Sequence, residues 1–417
     1  MIRTFSLSAA IAAACLALAP SDAIAQPAPQ DLGSLMREAI AHHPEVRGSR
    51  SHARAADHEL QGAHWGKYPS LSSELQTQQG GPQAVLRLEQ PLWTGGRITS
   101  QINVADAGLA QAEAAVTEVE QLVLAQAAAA YFEILRLESR LDAANGSVAE
   151  HERLLDTIQR RVRSQVSPAT DETQAAARLN QAITERLQTQ RQIDAARIAL
   201  EQVVGRAVGG LAAAPRIDLG HWNEAGLLDA ALSFSPERRR LRAQVDMADA
   251  QVDLARSQLR PSIVAGYQAR VGHLQPGEER GRVYLALQMQ TGAGLSSLSA
   301  VDAALARRQA AQDAIETLER SLAQQVRSLW AERQSVRQQV GPVQALLSGA
   351  DEIVASYLRQ FQVGRKNWLD VLNAVREKTQ AQYALADLES PLLLAEIRLL
   401  LLAGLMNAQN LTAHHVP

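Results

Sequence analysis

The feature that most constrains this chain is that it repeats itself. Pro44-Glu45 is followed by Pro69-Ser70, and Pro236-Glu237 by Pro261-Ser262, at an offset of 192 residues both times. Leu35 to Tyr68 aligns with Leu227 to Arg260 at that offset, and both stretches are rich in Ala, Arg and Gln. Farther along the offset is 199: Tyr131 with Trp330, Asp171 with Asp370, Gln181-Ala182 with Gln380-Ala381, and Gly205 with Gly404. Self-similarity at a fixed period marks a duplicated structural unit. The change of offset calls for an insertion between the two sets of anchors, placed most simply in the turn around Gly272 to Gly281.

Each half reads in the same order: helix, two strands, very long helix, break, helix. The first unit, 26–210, carries helices over about 32–66, 97–165 and 169–206, with strands over 70–79 and 83–92. A linker, 211–223, leads to the second unit, 224–408. Its helices fall at about 224–258, 295–362 and 367–408 and its strands at 262–271 and 282–290, before a tail, 409–417. A helix over 97–165 would span ~100 Å at 1.5 Å per residue, longer than a globular domain is wide. Hydrophobic residues make up 46% of the chain and aromatics only 4%, the balance of long Ala- and Leu-rich helices packed side by side. The expected fold is mainly α with a small β part.

The strands are amphipathic with period two. Ile263, Ala265, Tyr267, Ala269 and Val271 alternate with Ser262, Val264, Gly266, Gln268 and Arg270. Val283, Leu285, Leu287 and Met289 oppose Arg282, Tyr284, Ala286, Gln288 and Gln290. Ala84, Leu86 and Leu88 face away from Arg87 and Glu89, whereas Leu71 to Gln79 alternates poorly. Segments this long suit tilted strands that cross a bilayer. The alternative is a water-soluble hairpin layer covering a core. If the strands do span lipid, four cannot close a barrel, and open edges there leave several kcal/mol per unpaired group. Three copies would supply about twelve strands, enough for a closed barrel.

The N-terminus reads as an export leader. Met1-Ile2-Arg3 is basic, Phe5 to Ala19 is apolar, and Ala23-Ile24-Ala25 fits a small-x-small cleavage site with Gln26 as the new terminus. Cys15, the one cysteine, leaves with that leader. Ala13-Ala14-Cys15 faintly resembles a lipidation site, but Ala12 stands where Leu is usual and the apolar run continues through Leu18. Beyond residue 25 no apolar run is long enough for a membrane helix.

Lys+Arg is 41 and Asp+Glu 44, a net charge of −3, so nucleic acid is not an expected partner. His42-His43, His52, His58, His64 and His414-His415 lack the spacing and the acidic or thiolate partners of a metal site. No nucleophile elbow, Walker loop or dinucleotide fingerprint is present, so no catalytic site, cofactor or metal is expected.

Three features together resemble the TolC family of outer-membrane export channels. One is Glu89-Gln90-Pro91-Leu92-Trp93-Thr94-Gly95-Gly96-Arg97, similar to the family's strand-to-helix junction. The second is Phe361 to Ala374, Phe-Gln-Val-Gly-Arg-Lys-Asn-Trp-Leu-Asp-Val-Leu-Asn-Ala, similar to its second helix-turn-helix tip around Gly364. The third is the duplication. Gly95 and Gly96 suit the sharp reversal from strand to helix. The second half has Thr291-Gly292-Ala293-Gly294 there, without the Pro and the aromatic.

The resemblance implies a homotrimer, with a 12-stranded β-barrel in outer-membrane lipid and an α-helical barrel reaching into the periplasm. It implies a passive exit duct working with a periplasmic adaptor (membrane fusion) protein and an inner-membrane pump of ABC or RND type. The cargo would be proteins, as in type I secretion, or drugs or metals; the Trp93 to Arg97 junction and modest length look slightly more like the type I members. It further implies that Asp370 lines the pore near the closed tip, with Asn373 where the best-studied member has a second aspartate. Three carboxylates in place of six would weaken cation selectivity. Lys366 matches the basic partner that holds the closed tips, Thr170 and Asp171 the first-tip partners, and Phe361 replaces a hydrogen-bonding tyrosine. Asp370 and Asp171 also suit the first turn of a helix for reasons of dipole alone. Trp65, Tyr68, Trp93, Tyr267 and Tyr284 read equally as an interfacial belt or as junction packing. A periplasmic coiled-coil adaptor or scaffold is the alternative function; the duplication and the strands set between long helices weigh against it.

Overall fold

The structure, a computed structural model, describes residues 29–407 except 79–80, 216, 218, 273, 275–276, 290–291 and 293–295. The leader with its Ala25–Gln26 junction and the tail 409–417 lie outside the described residues. The elements run α1 (Leu32–His42), α2 (Pro44–Trp65), β1 (Ser70–Gln78), β2 (Gly81–Trp93), α3 (Arg97–Arg163) and α4 (Ala169–Val204). The second half repeats them as α5 (Glu224–Phe234), α6 (Pro236–Ser257), β3 (Ser262–Gly272), β4 (Gly281–Gln288), α7 (Ser296–Gln362) and α8 (Trp368–Leu402).

The helices expected over 32–66 and 224–258 are each two. Pro44 and Pro236 sit at the first helical position, and the residue before a proline is driven out of the helical region. His43 and Ser235 therefore take extended ψ values of 130° and 112° and cap the second helix of each pair. The last helix ends at Leu402, short of the expected 408, because Gly404 adopts a left-handed φ of 71°. Leu405 N then donates to Leu400 O at 3.0 Å, closing the helix end. Gly205, its counterpart, ends α4 with φ 88°.

The four strands form one antiparallel sheet in the order β1-β2-β3-β4. Ser70 pairs with Glu89, and their counterparts Ser262 and Gln288 also pair. The change of offset from 192 to 199 is thus contained within the second hairpin, as the sequence suggested. The register gathers Leu71, Leu88, Tyr267 and Val283 on one rung and Leu75, Ala84 and Val271 on another, all on one face. None of the described residues covers this face: Leu75 is 78% exposed, Val283 79% and Leu285 71%. β1, which alternates poorly, joins it through Leu71 and Leu75, with Ser73 between them and Thr77 beyond. The opposite face carries Glu74, Arg87, Glu89, Arg270 and Arg282, with Arg87 paired to Glu74 at 3.7 Å.

The 67-residue α3 and α7 run the length of the molecule, ~100 Å each at 1.5 Å per residue. Near the sheet the helices lie side by side in the order α2–α3–α6–α7, and toward the far end in the order α4–α3–α8–α7. A first core forms where the two arrangements meet, around Leu124, Tyr131, Phe132, Leu200 and Leu400, with α1, α5 and the linker wrapped over it. Tyr131 is fully buried and its hydroxyl donates to Ala212 O at 2.7 Å; burial, with Asp31 and Glu138 adding to it, pushes its pKa to about 12. The phenol therefore stays protonated and pins the linker to α3 across the whole physiological range.

Candidate functional site

Two ends of the molecule carry function-bearing features. At the sheet end, Gly95 and Gly96 have φ of 62° and 95°, the left-handed values that glycine adopts at little cost. A Cβ on Gly95 would lie 2.6 Å from Arg260 Cβ, so the junction of the first hairpin packs directly on the start of the second. Arg260 Nη1 donates to Gly95 O at 3.2 Å across the same contact. In the second junction Gly292 is also left-handed, with φ 73°; Thr291, Ala293 and Gly294 lie outside the described residues. Trp65, Tyr68 and Trp93 cluster at this end of the sheet and are exposed, with Trp65 and Tyr68 rings 5.2 Å apart. Their exposure fits an interfacial belt better than junction packing.

At the far end, two helix-turn-helix tips lie together over a second core. Leu154, Ile158, Ala175, Val354, Phe361, Trp368 and Val371 bring all four helices, α3, α4, α7 and α8, into contact. The two turns share one geometry. In the second, Gly364 takes φ 75° and Arg365 N donates to Gln360 O at 2.8 Å. In the first, Gln165 holds the equivalent place with φ 58°, and Val166 N donates to Arg161 O at 2.8 Å. A left-handed residue with a Cβ is strained by about 1–2 kcal/mol, part of which glycine returns as chain entropy. Gln165→Gly is accordingly expected to stabilise the first tip by about 0.5–1 kcal/mol. Hydrogen exchange of the Val166 amide checks this: slower exchange is the expected result.

Thr170 and Asp171 occupy the first turn of α4, and Asp370 the first turn of α8. Both acids sit where the helix dipole favours them, so that reading holds for each. Asp370 is partly exposed and Asn373 exposed one turn on. Lys366 lies 3.5 Å from Asp370 and 4.2 Å from the centre of the Tyr357 ring. Desolvation works against its charge, but Asp370 and Tyr357 outweigh that and raise its pKa. Within the protomer its partners are thus on its own hairpin. Neither Thr170 nor Asp171 forms a hydrogen bond or an ion pair with it among the described residues.

The contact that joins the two tips is different, and sequence reasoning missed it. Phe361 is buried, its ring 5.5 Å from that of Trp368, and Arg161 of α3 lies over it at 4.7 Å. Phe361, which has no hydroxyl, therefore joins the two hairpins of the protomer by packing and by a cation–π contact. The only signal was Arg161, one of three arginines closing α3, which reads as an ordinary response to the helix dipole.

A sheet with one bare apolar face, set above a ~100 Å layer of helices that ends in two packed helix-turn-helix tips, defines the protomer of a barrel-forming membrane channel. Residues 35–206 and 227–405 each match the model of the family described as outer membrane efflux protein, and the chain belongs to that family. It is an outer-membrane export channel, its barrel in the outer membrane and its helices extending into the periplasm, and not an enzyme. Such channels are the outer-membrane parts of tripartite export systems. Among curated relatives, the chain is 26% identical over 309 residues to the cobalt-zinc-cadmium resistance protein CzcC of Cupriavidus metallidurans, covering 70% of each. A solved membrane protein from Pseudomonas aeruginosa superposes with a TM-score of 0.80 at 18% identity, over 92% of both chains. The outer membrane protein VceC from Vibrio cholerae gives 0.77 at 18% identity, over 89% of this chain and 96% of that one.

Proposed function

We propose that three copies close into one tube, with a 12-stranded barrel in the membrane continuing as a helical cylinder of matching width. The observation that carries this is the agreement of the free flanks. The sheet ends at β1 and β4, and the helix layer ends at α2 and α4 on the β1 side and at α7 on the β4 side. A neighbour placed β4 against β1 therefore also sets α7 against α2 and α4. Exposed Leu187 and Ile198 on α4, and Leu346 and Ile353 on α7, supply apolar surface to that seam. Pairing the edges removes the unsatisfied backbone groups that lipid would not tolerate.

In this assembly the Asp370 carboxylates form a ring of three at the tip, each beside its own Lys366, and Thr170 and Asp171 are the seam-side neighbours for the next protomer's tip. Gly364 shapes the turn that presents them. The duct holds no energy source, so it works with a periplasmic adaptor and an inner-membrane pump. The pump would be of ABC or RND type, and the likeness to the cobalt-zinc-cadmium resistance protein CzcC favours divalent metal cations as cargo, for which an acidic ring is a suitable mouth. The expected result of deleting the gene is sensitivity to cobalt, zinc and cadmium; unchanged metal tolerance with loss of a secreted protein would move the cargo to type I secretion. The leader directs the chain out of the cytoplasm and is removed between Ala25 and Gln26 before the tube assembles.

Asp370→Asn is expected to lower the cation-over-anion permeability of the purified channel several-fold, because it removes the ring and leaves Lys366 uncompensated. Reversal potentials in a salt gradient measure this. An unchanged ratio would place Asp370 away from the pore.

A further inference from the structure

Between the first helical hairpin and α8 lies a cleft of about 340 Å³ that plays no part in the account so far. Arg140 and His151 of α3, Arg178 and Glu185 of α4, and Arg376 and Tyr383 of α8 line it. It sits between the two hydrophobic cores, the one around Tyr131 and the one around Phe361. Its floor is unusual: His151 is 7% exposed, and its Nδ1 is buried with no hydrogen-bond partner. Burial, and then the charge of Arg178, push the His151 pKa down against the pull of Glu185, so the ring is neutral at pH 7.

The cations of the cleft are not equally committed. Arg140 is held by the Asp387 carboxylate and stacks over Tyr383 at 4.5 Å. Arg178 makes its one hydrogen bond to the neutral amide of Gln181, at 3.1 Å. Arg376 forms no ion pair among the described residues. Glu185 accepts from Gln181 at 3.1 Å and is the one carboxylate lining the cleft. Two uncommitted guanidinium groups on opposite walls, over an unpartnered buried imidazole, repel a metal ion and suit a ligand with several acceptor oxygens.

We propose that this cleft binds a small oxyanion between Arg178 and Arg376. The ligand class is phosphate, sulfate or a small carboxylate. Because Arg178 belongs to the first hairpin and Arg376 to the second, the bound anion ties the two hairpins together between the cores. The site lies wholly within one protomer, so it stands or falls independently of the trimer.

The test is calorimetric titration of the detergent-extracted full-length protein with inorganic phosphate, with chloride at equal ionic strength as the control. The expected result is saturable binding of one phosphate per chain that chloride does not mimic. Arg376→Gln, at an exposed position that leaves the fold intact, weakens it at least tenfold. Glu185→Gln, by removing the competing carboxylate, tightens it. Absence of saturable heat, or binding unaltered in Arg376→Gln, overturns the proposal.

Discussion

Phe361→Ala is expected to open a standing leak through the channel. Its side chain is 6% exposed and is the apolar centre of the tip, in contact with Trp368 and capped by Arg161. Truncating a buried Phe to Ala costs about 3–5 kcal/mol. Here that cost falls on the one cluster that binds α3 and α4 to α7 and α8 at the tip, so it is released by separating the tips rather than by unfolding the tube. Single-channel recordings should show resting conductance several-fold above that of the native channel. Phe361→Leu keeps most of the packing and loses the cation–π contact, worth about 0.5–2 kcal/mol, so its leak should be intermediate. An unaltered closed conductance in Phe361→Ala would mean that the tips are held by the seam contacts of Lys366, Thr170 and Asp171 alone.

The second large effect concerns stability. Arg333 of α7 and Glu396 of α8 pair at 2.7 Å with side chains only 4% and 9% exposed, and Arg333 also lies 5.1 Å from the centre of the Trp330 ring. Removing one member of a buried pair leaves the other charge uncompensated, at about 3–5 kcal/mol. Glu396→Ala should therefore lower the thermal unfolding midpoint by the largest amount of any single change discussed. Replacing both, as Arg333→Met with Glu396→Leu, should restore stability to near the native value, because apolar side chains of similar volume avoid the desolvation cost altogether. If the double variant is as unstable as the single one, the pair contributes specific geometry that packing does not replace.

The sheet and the long helices were legible because their patterns are long and strict. Nine or more alternating residues fix a strand's faces, and a repeat lets each half correct the other. The breaks at His43 and Ser235 were in plain sight as Pro44 and Pro236, but a helical pattern on both sides hid a change of direction that only the φ/ψ restriction before proline reveals. The interior prolines Pro342 and Pro391, by contrast, do not end α7 and α8, which neighbouring helices hold on both sides of each. The site was half legible. Gly95, Gly96 and Gly364 mark their turns because positive φ selects glycine, whereas Gln165 makes the same turn with no such mark. Lys366 was expected to hold the tips with Thr170 and Asp171; within the protomer the turn before α8 places it beside Asp370, four positions along the chain. The Arg161–Phe361 contact joins residues 200 positions apart. No local pattern carries such a pairing.

If two further copies of the chain close the free edges of sheet and helix layer, the protein extracted in detergent from purified outer membranes has the native mass of three chains. Native mass spectrometry of that extract is the experiment to make, and a particle containing three chains is the expected result. A single chain, or recovery from the soluble periplasm, would contradict it, because β1 and β4 would then have no partners and the bare apolar face no lipid to meet.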